Sequence, residues 1–414
     1  MAIEHDELRR TIKNKLFNNM DFSREFSDEE MYELIDDQIL RECRELNISL
    51  TEKKRLRMEL FHSIRKLDVL QELVEDSEVT EIMINGCNDI FVEKKGQLQK
   101  QEISFESREK LEDVIQQIVA KCNRVVNESQ PIVDARLENG ARVNIVLPPI
   151  ALNGPIVTIR RFPDEPITME KLIEFGSINR YLCDYLATLV SAGYNIFVSG
   201  GTGSGKTTFL NALSYYIPQD ERLITIEDNA ELQIKHVPNL VRMETRNANV
   251  EGCKEITIRD LIKSSLRMRP DRIVVGEVRG GECVDMLQAM NTGHRSMSTG
   301  HANSAEDMLS RLEVMTMMGM DIPLSAIRGQ IASGIDIIVH LGRLRDKSRK
   351  LLEICELTGQ IDTSGKIEMN TLFRFEETED STDEKVEGRW VMTGELKCDA
   401  KLKAAGKKLP SKAQ

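Results

Sequence analysis

One stretch limits what this chain can fold into more than any other. Ser199-Gly200-Gly201-Thr202-Gly203-Ser204-Gly205-Lys206-Thr207-Thr208 contains the pattern G-x-x-x-x-G-K-[ST]. An apolar run, Ile196-Phe197-Val198, precedes it, and a second, Phe209-Leu210-Asn211-Ala212-Leu213, follows. Strand, glycine-rich loop and helix in that order make a P-loop. Backbone N–H groups of the loop point inward at phosphate oxygens, and the positive end of the helix faces the same charge. Lys206 then reaches the β- and γ-phosphates, and the Thr207 hydroxyl holds Mg²⁺. The expected ligands are ATP and Mg²⁺.

Three further blocks end in chemistry-bearing residues. Leu223-Ile224-Thr225-Ile226-Glu227-Asp228 is an apolar strand closed by two carboxylates. Strand carboxyl ends line the ligand crevice of an α/β sheet, so one acid can orient or deprotonate water, or it can simply cap a helix. Arg272-Ile273-Val274-Val275-Gly276-Glu277 repeats the pattern as a Walker B strand does, with Glu277 placed to hold the metal shell. A strand between the P-loop and this block favours a RecA-like motor over a nucleotide kinase. The stretch 292–303 carries His294 and His301 among Gly, Ser and Thr. Taken alone, each histidine reads as a structural residue or as a γ-phosphate sensor. Upstream, Arg142, Arg160 and Arg161 sit on predicted strands, either solvated or available to clamp a phosphate.

The patterning divides the 414 residues into a helical extension (1–75), a smaller α+β domain (76–162), a linker (163–176), a P-loop α/β domain with a parallel-core sheet (177–360), and a C-terminal tail with a small β-hairpin (361–414). Ser27-Asp28-Glu29-Glu30 is a capping box ahead of Met31, Leu34, Ile35 and Ile39 at helical spacing. Glu138-Asn139-Gly140 marks a hairpin between two strands. Alternation of strand and helix from 180 to 290 implies a parallel sheet. The formal charge of −12 weighs against a protein that coats nucleic acid, because that affinity needs Lys and Arg to neutralise phosphates. The 8 cysteines contain no C-x-x-C pair, which argues against a structural zinc site and fits a reducing compartment. The N-terminus lacks the apolar core of a secretory signal, and no apolar run approaches the ~18 residues of a spanning helix. These features predict a cytoplasmic protein that meets a membrane only through a partner.

Together the ordered blocks resemble the type II/type IV secretion ATPase superfamily, and most closely its tight-adherence (Flp-type) pilus-assembly members. Leu266-Arg267-Met268-Arg269-Pro270-Asp271 running into the 272–280 strand looks like the Walker B signature. Ser298-Thr299-Gly300-His301-Ala302-Asn303 resembles the His box, and Ile226-Glu227-Asp228 the Asp box. Gly140-Ala141-Arg142-Val143-Asn144 and Ile159-Arg160-Arg161-Phe162 resemble the arginine-bearing strands. The likeness covers residues 75–360. It implies a homo-hexameric ring with ATP between the N-terminal and RecA-like domains, driving an inner-membrane platform protein. By motif, Lys206 and Thr207 carry over as Walker A, Glu227 as general base, Glu277 as Walker B acid, His301 as the His-box residue, and Arg160 and Arg142 as arginine fingers. The short spacing after His294 leaves its role open. A DNA-transfer motor of the same fold and a P-loop small-molecule kinase are the competing readings.

Overall fold

The computed structural model describes residues 2–20, 24, 26–44, 48–94, 96–122, 124–161, 165–246 and 254–411, with the backbone alone for 2–6. The chain divides into two compact units, Met1–Asp164 and Glu165–Gln414. Phe162 and Pro163, placed by the sequence at the domain edge and linker, lie outside the described residues.

The first unit opens with α1 (Ala2–Asn19), α2 (Asp28–Glu42) and α3 (Leu50–Arg65). Ser27 Oγ accepts from the Glu30 N–H at 3.1 Å while the Ser27 N–H reaches the Glu30 carboxylate at 2.8 Å. Ser49 and Glu52 repeat the exchange at the start of α3. Such a cap contributes about 1 kcal/mol to helix stability. Met31, Ile35 and Ile39 of α2 and Leu56, Leu60 and Phe61 of α3 close on Ile12 and Leu16 of α1, a core of their own. The next helix, α4 (Leu70–Glu75), belongs elsewhere. Its Leu70, Leu73 and Val74 pack into the core of the following sheet, so the separate helical core stops at α3 rather than at residue 75.

That sheet comprises β1 (Val79–Asn85), β2 (Ile90–Lys94), β3 (Gln97–Lys100), β4 (Ile132–Arg136), β5 (Arg142–Val146) and β6 (Ile156–Arg160), with α5 (Arg108–Lys121) between β3 and β4. Its order is β3-β2-β1-β6-β5-β4, every pairing antiparallel. Alternate residues (Ile82 and Ile84, Val143 and Ile145, Val157 and Ile159) are buried under Leu111, Val114, Ile115 and Ile118 of α5. The opposite face mixes polar residues such as Asn144, Thr158 and Arg160 with the partly buried Met83, Phe91 and Ile156. Gly140 supplies the left-handed φ of +88° that the β4–β5 turn needs.

The second unit contains α6 (Met169–Glu174), α7 (Arg180–Ser191), β7 (Ile196–Gly200), α8 (Lys206–Ser214), β8 (Leu223–Glu227), β9 (Leu240–Glu244), α9 (Ile258–Ser265), β10 (Arg272–Val275), α10 (Cys283–Asn291) and β11 (Arg295–His301). It continues with α11 (Ala305–Gly319), α12 (Leu324–Gly334), β12 (Ile337–Arg343), β13 (Arg349–Ile361), β14 (Ile367–Glu377), β15 (Gly388–Met392) and α13 (Ala400–Ala404). All its strands among the described residues form one sheet, β15-β14-β13-β12-β7-β11-β10-β8-β9. Neighbours from β12 to β9 are parallel, and those from β12 to β15 are antiparallel. This is the α/β architecture with a parallel core that the P-loop grammar predicts.

Both faces of the sheet are covered, which is why its central strands read as unbroken apolar runs. Ile196, Val198, Val274 and Val339 face α7 and α8. Phe197, Ile226, Ile273, Val275 and Ile338 face α9, α10, α11 and α12. At the amino end of β10, Arg272 is fully buried. It binds Glu221 Oε2 through Nε at 2.7 Å and the Val190 carbonyl through Nη2 at 2.9 Å, while Arg295 Nη1 meets Glu221 Oε1 at 2.5 Å.

Two expectations need correction. Part of the expected linker, 163–176, is α6: Thr168 caps it, and Met169 and Leu172 are buried in the core of the second unit. The tail expected beyond 360 is not an appendage. β14 and β15 do form a hairpin, but β14 pairs with β13 in the main sheet, and Leu372 and Phe373 enter the core. Local patterning identified the hairpin without its long-range partner.

Candidate active site

In strand order β7, β11, β10 and β8 are consecutive and parallel, so their carboxyl ends converge. Those ends carry the residues singled out in the sequence. Gly200 closes β7, and His301 lies opposite it in register at the end of β11. Glu227 closes β8, and Gly276-Glu277 follow β10. This convergence is the general placement of ligand crevices in parallel sheets.

The loop between β7 and α8 turns through Gly203 and Gly205, whose φ angles of +71° and +90° lie in the left-handed region. At Gly200 a Cβ would sit 2.5 Å from the Leu341 carbonyl and from Ser204 Oγ, so any side chain there would collide. Gly201, Thr202 and Gly203 are exposed at the crest, and Ser204 is buried. Ser204 Oγ and Lys206 Nζ both donate to the Gly201 carbonyl, at 2.9 and 3.0 Å. Lys206, Thr207 and Thr208 form the first turn of α8, with Lys206 buried and the two threonines half-buried.

From Lys206 a line of polar contacts crosses the site. Lys206 Nζ stands 3.3 Å from His301 Nδ1, and His301 Nε2 stands 2.9 Å from Glu277 Oε1. Glu277 Oε2 accepts from Arg279 Nη2 at 2.7 Å, and Arg279 Nη1 lies 3.8 Å from Asp228 Oδ2. Burial, opposed by the nearby Glu277 carboxylate, lowers the Lys206 pKa. Burial and then the Lys206 charge lower that of His301. A neutral imidazole fits between an ammonium and a carboxylate, with Nδ1 accepting and Nε2–H facing Glu277. Arg279 is held further toward its charged form, first by its bond to Glu277. Sequence reasoning missed Arg279. Its signal was its place two residues after the Walker B acid, yet only the fold shows that it links Glu277 to Asp228.

Glu227 is 3% exposed. Its Oε2 accepts from the Glu231 and Leu232 N–H groups at 2.7 and 2.9 Å, while its buried Oε1 has no hydrogen-bond partner. Burial raises its pKa against the lowering by those two N–H donors. A Cβ on Gly276 would come within 3.0 Å of Glu227 Cγ, so glycine lets β10 lie close against this carboxylate.

His294 is not part of this group. It precedes β11, whereas His301 ends that strand, so the two stand at opposite edges of the sheet, roughly 20 Å apart at the usual rise per residue. His294 Nδ1 lies 3.2 Å from Thr292 Oγ1 and 3.3 Å from the Ala289 carbonyl, at the end of α10. In the first unit, Arg142 and Arg160 lie directly opposite each other on β5 and β6, and Arg136 lies opposite Arg142 on β4. Three arginines therefore share one row of one sheet face. Arg161 has turned away to the Asp76 and Val79 carbonyls.

The arrangement suits a nucleoside triphosphate with a divalent cation. The first turn of α8 has N–H groups without helical partners, the buried Lys206 offers a positive charge, and the unpartnered Glu227 oxygen offers an acceptor. Among the described residues no helix is long and apolar enough to cross a membrane.

Comparison with known proteins identifies relatives of the chain. PtlH, a type IV secretion system protein of Bordetella pertussis, is 32% identical over 302 residues, 67% of this chain and 89% of PtlH. A Mycobacterium tuberculosis protein whose name assigns it to conjugal transfer is 35% identical over 296 residues, 70% of this chain and 84% of the relative. The pilus retraction motor PilT with bound ADP shares the fold at 21% identity and a TM-score of 0.51, covering 74% of this chain and 81% of PilT. The DotB ATPase of Legionella pneumophila does so at 20% and 0.50, covering 70% and 79%. Residues 64–410 match the profile of the type II/IV secretion system proteins, and the chain belongs to that family of secretion ATPases.

Proposed function

We propose that this protein hydrolyses Mg-ATP to power assembly of a tight-adherence-type pilus, or protein secretion, through an inner-membrane platform. The observation that carries the reading is the convergence of Lys206, His301, Glu277 and Glu227 on the carboxyl ends of adjacent strands. The P-loop, residues 200–208, holds the phosphates. Thr207 and Glu277 hold Mg²⁺, which neutralises developing phosphate charge when bound. Glu227 takes the proton of the attacking water, a task suited to a carboxylate whose proton affinity burial has raised. His301 keeps Lys206 and Glu277 in register. Arg142 and Arg160 act as arginine fingers. The working form is a homo-hexamer at the cytoplasmic face of the membrane, docked through its platform partner.

A second reading, a motor for DNA transfer, draws on the conjugal-transfer name of the mycobacterial relative. The charge of −12 opposes it. Strong, salt-sensitive binding of duplex DNA by the purified chain would move the assignment to that branch.

Phosphate release with and without Mg²⁺, together with mass by light scattering, tests the main reading. Mg²⁺-dependent turnover by a six-subunit particle is expected. Lys206→Ala should lower turnover by about three orders of magnitude, and Glu277→Gln should retain ATP while blocking release. Full activity in either variant would sink the site assignment.

A further inference from the structure

A buried histidine behind the P-loop has no place in the chemistry above. His340, on β12, is 5% exposed. It lies opposite Ser199 of β7 in the parallel register, one residue before Leu341 meets Gly200. Its Nδ1 is 2.9 Å from Ser199 Oγ, and its ring faces the backbone of Asn303. The Asn303 N–H is already given to Asp307 Oδ2 at 2.9 Å, so the carbonyl is the group left to the ring. A ring that donates Nε2–H to that carbonyl has its Nδ1 lone pair free, and the fully buried Ser199 hydroxyl donates into it.

The two partners belong to different working parts. Ser199 is the last residue before the P-loop begins at Gly200. Asn303 sits two residues beyond His301. The Ala302 N–H already reaches the Gly200 carbonyl at 3.3 Å, so His340 braces a junction where both segments meet. On the same sheet face, a Cβ on Gly300 would come within 2.9 Å of Phe197 and 3.1 Å of Met308, which leaves that junction little room to shift.

We infer that His340 is a positioning residue for hydrolysis: a single imidazole ties Ser199, which leads into the P-loop, to the loop that follows His301. The inference rests on the ATPase reading. The distance between Lys206 and His301 depends on how these two segments are spaced, and the His340 ring bonds one and faces the other. The charged groups around it are Glu353 on β13, Asp307 on α11 and Lys206 on α8. Burial lowers its pKa, consistent with a neutral ring that both accepts and donates. An apolar replacement leaves the buried Ser199 hydroxyl without its partner and loosens the hold on the Asn303 backbone, and the hydroxyl can regain a partner only by moving.

The test compares the full chain with His340→Leu and His340→Gln. Glutamine keeps one acceptor and one donor on a single amide. In His340→Leu, kcat should fall about tenfold or more while KM for MgATP changes less than about threefold, and His340→Gln should recover most of the loss. Hydrogen exchange provides a readout that does not need turnover. Amides in 199–206 and 300–304 should both exchange faster in His340→Leu, with the rest of the unit unchanged. Wild-type kcat in His340→Leu would overturn the inference. So would an equal loss in both variants tracking a fall in melting temperature, or faster exchange in only one of the two segments. Should Lys206→Ala release phosphate as fast as the native chain, the ATPase reading fails separately, and the exchange experiment still decides whether His340 joins the two segments.

Discussion

Glu227 shows how far a single residue can be read from sequence and where that stops. Its position at the end of an apolar strand made it a candidate; its protonation behaviour depends on burial and on the Glu231 and Leu232 N–H groups, which only the fold supplies. The folded pKa is raised, so the proton is bound more tightly in the folded state. The stability this provides is fully present below the unfolded pKa and is lost as pH rises through the folded pKa. Glu227→Gln should therefore melt above wild type at neutral pH, with the gap closing as the medium is acidified. As a base, Glu227 must be ionised, so the rise of kcat with pH should sit above the ordinary carboxylate range and disappear in the variant. A variant melting below wild type at pH 7 would contradict the burial argument. Arg279 and His340 escaped notice for the converse reason. His340 falls in no spacing that implies chemistry, and the place of Arg279 two residues after Glu277 does not reveal its link to Asp228; each acquires a role from partners that the fold brings to it.

Among elements, those carrying a local signature were legible. The P-loop strand and helix, the capped α2, and the β4–β5 hairpin follow from glycine, caps and apolar period. β9 was not, because it is an edge strand with no residue fully buried, so nothing in its five residues alternates cleanly. α11 exposes Val314, Met317 and Met318 beside its buried Met308, Leu312 and Met315, which blurs the apolar stripe. Where α11 ends, another feature fixes its position. A Cβ on Gly281, in the loop after Arg279, would stand 2.9 Å from Gly319 Cα, and one on Gly319 would strike the Gly281 carbonyl. Backbone therefore meets backbone between the loop behind Glu277 and the last residue of α11. Gly319→Ala should cost about 1–3 kcal/mol, the usual penalty for overpacking a closed contact, read as a lower denaturant midpoint. An unchanged midpoint would mean that α11 can yield there.

For the whole molecule, the sequence conveyed the order of parts better than their extent. The parallel core was predictable because each strand–helix repeat is local, whereas the docking of the β14–β15 hairpin onto β13 depends on a pairing that no local pattern encodes. Residues 361–411 complete the second unit in two ways. Phe373 meets Tyr185 of α7 edge-on with ring centroids 5.0 Å apart, and the Trp390 indole donates to the Leu351 carbonyl at 2.7 Å. Glu356, 1% exposed on β13, accepts from the Lys397 and Cys398 N–H groups at 2.9 and 2.6 Å and from Asn370 Nδ2 at 2.9 Å. Each of those donors lies beyond residue 360. A chain ending there would lose all three donors together with the buried Leu372, Phe373 and Leu402 side chains, about 1.5–3 kcal/mol of burial for each. That is a large fraction of the ~5–15 kcal/mol that stabilises a typical domain. The truncated chain should lose cooperative unfolding and ATP binding together, even though every residue assigned to the site is still present. A truncated chain that melts with the full-length transition would show that the sheet closes at β13 without the segment beyond residue 360.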